Sequence, residues 1–590
     1  MTTKDYYIKE LNALRVEGAE FAKKNPGLSS FLAKEGQDPD VERMLEGFAF
    51  LTGKLHQKLD EELPEVAHNL VQLLWPNYIR PVPSYTIVQF DPLKSSSRTT
   101  SIKKGLQLLS KPTQEGVVCK FRTCFDTDVM PLELTSVEYM NYGKKGILEL
   151  DFSMTNTAML DSVDFETLRL FLGGSKFMAK ELYLYLDRYV EKVELIIKNK
   201  DLQEIDSIVL PRKSIAALGF DSTQTILPYA RNTFDGFVML QEYFCYQDKH
   251  LFIDIKNLDK LKSFSGEQLS QSSNFSLKFQ FKKVLTSVQR PTLEDFRLFC
   301  TPAVNLLESD AVPIRKTYFT DEYLLTPSEL KKDQSEVFSV DSVRGWIPSK
   351  NAYQNYFPFE SFRHTQEEGE YYSEIVKLND TENKTETFLR FASSGGIFDD
   401  LEHSNATVSV KMTCTNKDIP TSLQLGDISV RDPLSSSDMT FHNITIPSIS
   451  YPPPIGGDFL WKLISNMSLN YLSLENISTL KMILQTYDFF GASDLKQKQK
   501  TDVILSGLKE IKNRKTQMVY EGLPIFGIET ELYIDPTKFT GIGEAYHLCC
   551  ILNEFFALYC NVNSFHRLIV HIDNDETFVW EPKMGYQALV

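Results

Sequence analysis

The N-terminal part of the chain carries apolar side chains at the spacing of amphipathic helices. The pattern predicts one helix over residues 5–23, a second over 38–63 and a third over 65–75. Asn25-Pro26 and Pro64 are expected to end the first two helices, because proline lacks the N–H that a helix interior needs. The stripe of the first helix consists of Tyr7, Leu11, Leu14, Gly18 and Phe21.

The second predicted helix has apolar side chains on two sides. Phe50 lies opposite the regular stripe, and Gly47 and Gly53 flank it. One interpretation is that the helix is enclosed by its own neighbours in the chain; the other is that Phe50 meets a second protein. Periodicity alone leaves both open. The regular stripe consists of Val41, Met44, Leu45, Phe48, Leu55 and Leu59.

From residue 85 to about 446 the apolar period changes to two, which is typical of strands. No helices separate the strands regularly, so the pattern favours antiparallel β-sandwich-like modules over a doubly wound parallel sheet. The aromatic clusters at 183–189 and 242–246 are expected to be alternating strand positions, with sugar stacking as the alternative. The predicted strands cover residues 85–90, 147–152, 168–172, 182–186, 193–197, 251–255 and 275–281.

The C-terminal part mixes the two periods. Helices are predicted through residues 477–484 and over 544–559, and strands at 530–534 and 567–572. The whole is therefore expected to be a multidomain α+β protein, because 590 residues exceed one hydrophobic core. The predicted parts are an N-terminal helical segment (1–80), a first β-rich module (81–290), a second, partly irregular β-rich module (291–449) and a C-terminal α+β domain (450–590).

Composition and charge limit the kinds of molecule that the chain is expected to bind. Apolar residues make up 42% of the chain, which is enough for large cores, and the net charge is −16. A phosphate-binding surface needs the opposite sign, so we expect no nucleic-acid partner. Apolar runs are too short to span a bilayer, which argues against direct membrane insertion. The N-terminus contains four acids within its first 20 residues and lacks the short apolar run and small-residue cleavage site of a signal peptide, so the chain is expected to stay in the cytoplasm.

Motifs for chemistry are few. The eight cysteines show no CxxC pair, as expected in a reducing compartment. His547 and Cys550 are spaced so that they face one side of a helix, but structural zinc needs four ligands, and buried thiols are the more common case. Phosphate-binding loops, nucleophile elbows and metalloprotease motifs are not found. The sequence therefore predicts no catalytic residue, no cofactor and no metal site.

Three ordered blocks resemble the TssF family, also called VasA or ImpG, of the type VI secretion system baseplate. The first includes YYIKELNALRVEGAEFAKKNP and LLWPNYIRPVPSYTIVQF, and the second is FRLFCTPAVNLLESDAVPI with EVFSVDSV. The third joins LWKLISNMSLNYLSL, GLPIFGIETEL, FTGIGEAYHLCCILNEFFALYCNVNSF and WEPKMG. The chain departs from the family pattern at Ile528-Glu529 and at Pro536, so the resemblance implies no role for the predicted turn over 527–536.

The resemblance implies a function by assembly and no enzymatic activity. TssF-like proteins join a second TssF copy and TssG in a wedge around the VgrG spike hub, from which the tail tube and sheath are built for effector delivery. TssK links the wedge indirectly to the inner-membrane complex, and TssE connects it to the sheath. The location implied is the cytoplasmic face of the inner membrane. The alternatives are a wedge protein of another contractile, phage-tail-like particle or a β-sandwich carbohydrate-active enzyme or binding protein.

The resemblance also favours one interpretation of the second helix. We expect the regular stripe to hold the chain's own helices together and the Phe50 side to meet a neighbouring subunit. The candidate partner-interface residues are Tyr7, Leu11, Leu14, Phe21, Gly47, Phe50 and Gly53. The candidates for a C-terminal interface or core are Trp461, Leu469, Tyr471, Phe555, Phe556, Tyr559 and Phe565.

Overall fold

The structure is a computed structural model of the chain. The residues that it describes are 3–24, 39–92, 98–155, 158–163, 166–199, 201–230, 233–287, 289–317, 320–348, 351–359, 370–379, 384–393, 406–433, 439–453, 476–520, 522–560, 562–572 and 576–585.

The α-helices, in chain order, are α1 Thr3–Lys24, α2 Pro39–Leu74, α3 Lys176–Leu184, α4 Asp235–Cys245, α5 Gly266–Gln271, α6 Ile477–Thr486, α7 Phe489–Ser493, α8 Leu495–Ser506 and α9 Ile542–Leu558. A π-helical turn, Tyr185–Tyr189, follows α3. Among the described residues, no helix combines the length and the apolar composition needed to cross a bilayer.

The strands, in chain order, are β1 Tyr85–Asp91, β2 Thr100–Ile102, β3 Gln107–Ser110, β4 Lys120–Thr123, β5 Thr127–Val129, β6 Leu132–Tyr142, β7 Lys145–Met154, β8 Thr167–Leu172, β9 Val190–Lys198, β10 Glu204–Leu210, β11 Ile215–Ala217, β12 Phe252–Lys256, β13 Asn274–Phe281, β14 Phe296–Leu298, β15 Cys300–Val304, β16 Leu307–Asp310, β17 Ile314–Arg315, β18 Glu322–Leu324, β19 Glu336–Ile347, β20 Ala352–Pro358, β21 Glu370–Asn379, β22 Lys384–Ser393, β23 Thr407–Thr415, β24 Ile428–Arg431, β25 Thr440–Asn443, β26 Leu508–Tyr520, β27 Leu523–Ile534, β28 Ser564–Ile572, β29 Glu576–Val579 and β30 Lys583–Met584.

The predicted α+β organisation is confirmed, but the second helix is longer than expected. α2 runs through Pro64, so the predicted second and third helices form one element. A proline inside a helix removes one N–H donor without forcing the chain to stop. Strong helix formers, Glu and Leu before the proline and Glu and Ala after it, keep the remaining hydrogen bonds.

Two predicted strand regions are helical. Residues 182–186 lie in α3 and the π-helical turn, and most of the aromatic cluster at 242–246 lies at the end of α4. Almost every side chain of these segments is buried. A helix that is covered on all sides shows no amphipathic stripe, and its apolar run is indistinguishable from that of a buried strand. The other predicted strands are confirmed, and their ends agree to within a few residues except at β27, which begins at Leu523 instead of residue 530.

The central sheets join strands that are far apart in the sequence. A six-stranded sheet has the order β24-β3-β4-β15-β1-β25, and a five-stranded antiparallel sheet has the order β10-β9-β13-β7-β6. The first of these sheets crosses residue 290, where the sequence predicts a boundary between β-rich modules; that division of the chain stays a prediction. Strands β16 to β23 form an eight-stranded sheet over a separate small core that includes Val343, Leu389, Val410 and Met412.

The C-terminal sheet has α9 as its crossover helix. β26 and β27 form a long antiparallel hairpin, and β27 pairs in parallel with β28. The segment over 527–536, expected to be a turn, is therefore mostly strand, because β27 extends to Ile534. α9 is buried along most of its length and packs against α3, α4 and β28, which connects this sheet to the main core.

Candidate interaction surface

The helices α1 and α2 pack along each other at the N-terminus. The covered line of α2 is made by Leu45, which is half-buried, and by Ala49 and Gly53, which are buried. These positions are four residues apart, so they lie on one face of the helix. Small side chains at two of the three positions leave little bulk between the helices, and the buried Leu11 lies on α1.

This packing corrects the predicted inner face of α2. Met44 and Phe48 belong to the stripe that was expected to hold the chain's own helices, yet their side chains are 76% and 59% exposed. Leu51 continues this exposed line one turn further and is 61% exposed. Large apolar side chains thus lie in solvent, because the smaller Ala49 and Gly53 occupy the covered face. The side chains of Val41, Leu55 and Leu59 lie outside the described residues.

Phe50 is exposed on a different side of α2 from Phe48. Its ring is 47% exposed, and the Lys54 Nζ atom lies 5.5 Å from the ring centroid. A cation over a ring at an exposed site contributes about 0.5–1 kcal/mol, so this contact does not substitute for burial. Around Gly47, on the same outer side, no described atom outside its own stretch of helix lies within 4 Å of the position that a Cβ would take. The backbone at Gly47 is therefore open to close approach.

The other N-terminal candidates divide into covered and exposed residues. Phe21 is exposed, whereas Tyr7 and Leu14 are half-buried, and Leu11 and Gly53 are covered by this chain itself. An interface role for the exposed candidates stays a prediction. The large apolar side chains that α1 and α2 leave exposed are Ile8, Val16, Phe21, Met44, Phe48, Phe50, Leu51, Leu70 and Leu74.

The C-terminal end of α2 is fixed in the main core. The Trp75 ring, which is fully buried, lies 5.6 Å from Phe237 and 5.4 Å from Tyr487, measured between centroids. Tyr78 packs 5.0 Å from the Phe489 ring. Aromatic pairs at these distances add about 0.5–1.5 kcal/mol each beyond the area that they bury. The outer part of α2 therefore extends from a rigid attachment.

The described C-terminal candidates are mainly core residues. Phe555, Phe556 and Phe565 are buried, and the half-buried Tyr559 ring packs 5.1 Å from Phe234. Trp461, Leu469 and Tyr471 lie outside the described residues.

Charged groups in the interior are paired where α9 meets α3. The Lys180 ammonium and the Glu544 carboxylate, both buried, are 2.7 Å apart, and Thr540 donates two hydrogen bonds to the same carboxylate. Burial alone would raise the pKa of Glu544, but Lys180 and Thr540 more than offset it and lower the pKa to about 2. A second buried pair joins Lys249 to Glu242 on α4.

Two buried histidines lie beside these ion pairs. The His250 and His547 rings are 5.8 Å apart between centroids, and neither ring has a hydrogen-bond partner among the described residues. Burial and, to a smaller extent, the nearby Lys180 ammonium together lower the pKa of His547 to about 3, although the Glu544 carboxylate opposes the shift. Burial also lowers the pKa of His250 well below its ordinary value. Both rings are therefore neutral at physiological pH.

The described residues offer no arrangement for metal or thiol chemistry. No group of three His, Cys, Asp or Glu side chains in them is placed to hold an ion. The cysteines are buried free thiols, and burial raises the pKa of Cys119 to about 11, for example. Tyr183, Tyr185, Tyr243 and Tyr246 are buried as well, so the aromatic clusters provide no open platform for sugar stacking. The exposed surface of α1 and α2 remains as the candidate site.

Comparison with known proteins agrees with an assembly role. The sequence model of the family described as "Type VI secretion system, TssF" matches residues 1–587. The chain is 26% identical, over 98% of each chain, to the type VI secretion system component TssF1 of Pseudomonas aeruginosa. It is similar to a chain of a TssK–TssF–TssG baseplate subcomplex solved by cryo-electron microscopy, with 26% identity, TM-score 0.76, and 92% and 98% of the two chains covered. A chain of a type VI baseplate complex shares the fold at 23% identity, with TM-score 0.64 and full coverage of both chains.

Proposed function

This chain belongs to the TssF family of the type VI secretion system, and we propose that it acts as a baseplate subunit that binds TssG and TssK. The family is structural, and its members are not enzymes. The partners proposed here are those of the similar chain in the solved subcomplex.

The observation that carries this proposal is the exposed apolar surface of α1 and α2. Scattered single apolar side chains are normal on a protein surface, but nine large ones on two packed helices are not. The surface lies on an element whose other end is fixed in the core by Trp75 and Tyr78. We propose that TssG covers this surface in a mixed helical bundle.

The remaining contacts follow the organisation of the wedge. A second copy of this chain, TssK, TssE and the VgrG spike hub are proposed as further neighbours, with an indirect connection to the inner-membrane complex. The site of assembly is the cytoplasmic face of the inner membrane, and the product is a wedge from which the tail tube and sheath are built. The acidic charge of −16 favours protein neighbours over nucleic acid.

A binding experiment with a matched control tests the helical interface. The triple variant Met44→Ser/Phe48→Ser/Leu51→Ser removes three exposed apolar side chains from α2 without touching the covered line. It should fold like the wild type and lose co-purification with a TssG-like partner. The control triple, Leu202→Ser/Val312→Ser/Leu495→Ser, changes apolar residues of similar exposure that lie outside α1 and α2, and it should keep the partner. Equal TssG recovery with both variants would show that this surface is not the interface.

A further inference from the structure

The hairpin β26–β27 carries a second surface that the helical interface does not use. β26 is the first strand of its sheet, and among the described residues no strand pairs with its outer edge. It is 13 residues long, and its one register shift lies at its start, between Leu508 and Glu510. Residues 512–520 therefore present a regular row of unpaired backbone N–H and C=O groups.

Charges on the solvent face of this sheet alternate from strand to strand. Glu529 on β27 lies between Arg514 on β26 and Arg567 on β28, and the Arg567 Nη1 atom is 3.5 Å from the Glu529 carboxylate. One step along, Glu531 lies opposite Lys512. Cross-strand neighbours of opposite charge stabilise a sheet. Lys512 also pairs with Glu510 of its own strand, with 3.0 Å between Nζ and Oε2, but no described strand places an acid on the outer side of Lys512 and Arg514. Two acids spaced by one residue would continue the alternation on an added strand.

The same face becomes apolar toward the end of the hairpin. Met518 and Tyr520 follow Lys512 and Arg514 at the two-residue period, with Thr516 between them. The Tyr520 side chain is 44% exposed, and Leu523, its cross-strand neighbour, is 68% exposed. A strand that pairs antiparallel to β26 would therefore place apolar residues first and acids last.

Basic side chains on an edge strand also have a protective use, because they discourage edge-to-edge aggregation. Protected edges are usually short, bulged, covered or interrupted by proline. Over 512–520, β26 is neither short, bulged nor interrupted by proline, and no described strand covers it; Arg514 forms no ion pair with the described residues. The exposed apolar side chains at the end of β26 favour contact with another strand and do not protect the edge from it.

We propose that the outer edge of β26 binds an extended acidic segment of a partner protein by strand addition. The segment has the order apolar-x-apolar-x-Thr-x-acid-x-acid, where the named positions face Tyr520, Met518, Thr516, Arg514 and Lys512. Main-chain hydrogen bonds to the free edge supply affinity, and the two acids set the register against the basic pair. This inference rests on the proposed function in one respect, which is that the partner is a neighbouring baseplate subunit.

Hydrogen exchange of the full-length chain tests the proposal without TssG. The probe is the peptide Val-Thr-Val-Thr-Thr-Thr-Glu-Thr-Glu, and the matched control peptide has lysine in place of both glutamates. The acidic peptide should slow exchange of the outward amides over 512–520 by about tenfold, and the basic peptide should not. Equal protection by both peptides, or protection by neither, would overturn the proposal.

Variants of the basic pair complete the experiment. Lys512→Gln/Arg514→Gln removes the charges without placing new acids beside Glu529 and Glu531, and it should abolish the preference for the acidic peptide. The control Lys498→Gln/Lys500→Gln makes the same charge change on exposed positions of α8 and should leave the preference intact. A preference that survives in the first variant refutes the role of the charges. TssG co-purification does not enter this test, so the two proposals can fail separately.

Discussion

Phe50→Asp is the substitution that best separates an interface from an ordinary core position. The free chain leaves 47% of this side chain exposed, and the ring lies on the outer side of α2. The variant should therefore weaken partner binding strongly while the isolated chain stays folded.

The magnitude follows from the exposed area. A phenylalanine side chain has roughly 200 Å² to bury, so about half, ~95 Å², remains for a partner to cover. At about 25 cal/mol per Å² this is worth ~2.4 kcal/mol, or roughly 60-fold in the dissociation constant. The new carboxylate would also lose its hydration in the interface, which adds to the loss. In the free chain, substitutions on an exposed helix face usually change stability by less than about 1 kcal/mol.

The assay compares two measurements on the same variants. Isothermal titration with a TssG-like partner should show at least a tenfold loss for Phe50→Asp, and thermal unfolding of the isolated chain should shift little. Leu11→Asp is the control, because Leu11 is buried within this chain and its substitution should lower the melting temperature clearly. If Phe50→Asp destabilises the isolated chain as much as Leu11→Asp does, or leaves the affinity within threefold, the interface reasoning is wrong.

Three further predictions follow from the packing and the buried charges. Gly47→Ala should stabilise the isolated chain by up to about 1 kcal/mol through helix propensity, as measured by urea denaturation. The same variant should weaken TssG binding, because the added methyl group would stand where a partner approaches the open backbone closely. Improved binding would exclude close approach. Lys180→Met should lower the free energy of unfolding by about 3–5 kcal/mol, because it leaves the Glu544 carboxylate buried without its cation. Adding Glu544→Gln should restore part of the loss. Equal melting temperatures of the wild type, the single variant and the double variant would contradict this. Acidification below pH 6.5 should destabilise the fold, because the pKa of His547 is about 3 in the folded chain and returns to its ordinary value on unfolding, so that only the unfolded chain binds the proton. Above pH 6.5 the His547 ring is neutral in both states and the free energy of unfolding is unaffected by it. Between pH 6.5 and pH 3 the free energy of unfolding falls by about 1.4 kcal/mol per pH unit. His547→Phe, which keeps the ring and removes the titration, should make the melting temperature less dependent on pH over that range, and an unchanged slope would refute the assignment.

The sequence predicts well the elements that expose one face to solvent. β7 and β13 alternate polar and apolar residues, and their bounds agree with the pattern to within a few residues. α3 and α4 carry no such alternation because they are covered on all sides, so the sequence pattern does not distinguish a helix from a strand there. Strand pairing was not readable either, since β1 pairs with β15 and β25, more than 200 residues away in the chain.

The candidate surface was predicted in part. The two-sided pattern of α2 correctly indicated apolar side chains beyond the needs of the chain's own packing, and Phe50 is one of them. The assignment of faces was wrong for Met44 and Phe48, because hydrophobicity weighs large side chains most, whereas Ala49 and Gly53 make the covered line. The free edge of β26 gave no signal, since an edge is a property of the sheet and not of one strand.

The position of Pro64 gives α2 a mechanical property. At about 1.5 Å per residue the helix is ~54 Å long, and Phe48 lies ~24 Å from the proline. One backbone hydrogen bond is missing there, between the end held by Trp75 and the end that carries Phe48 and Phe50. A bend of about 10° at this compliant point would carry Phe48 through ~4 Å, nearly the rise of one helical turn, while the core stays still. The helix is therefore expected to bend most readily at this point, so that its outer part can change direction while the end at Trp75 keeps its place in the core.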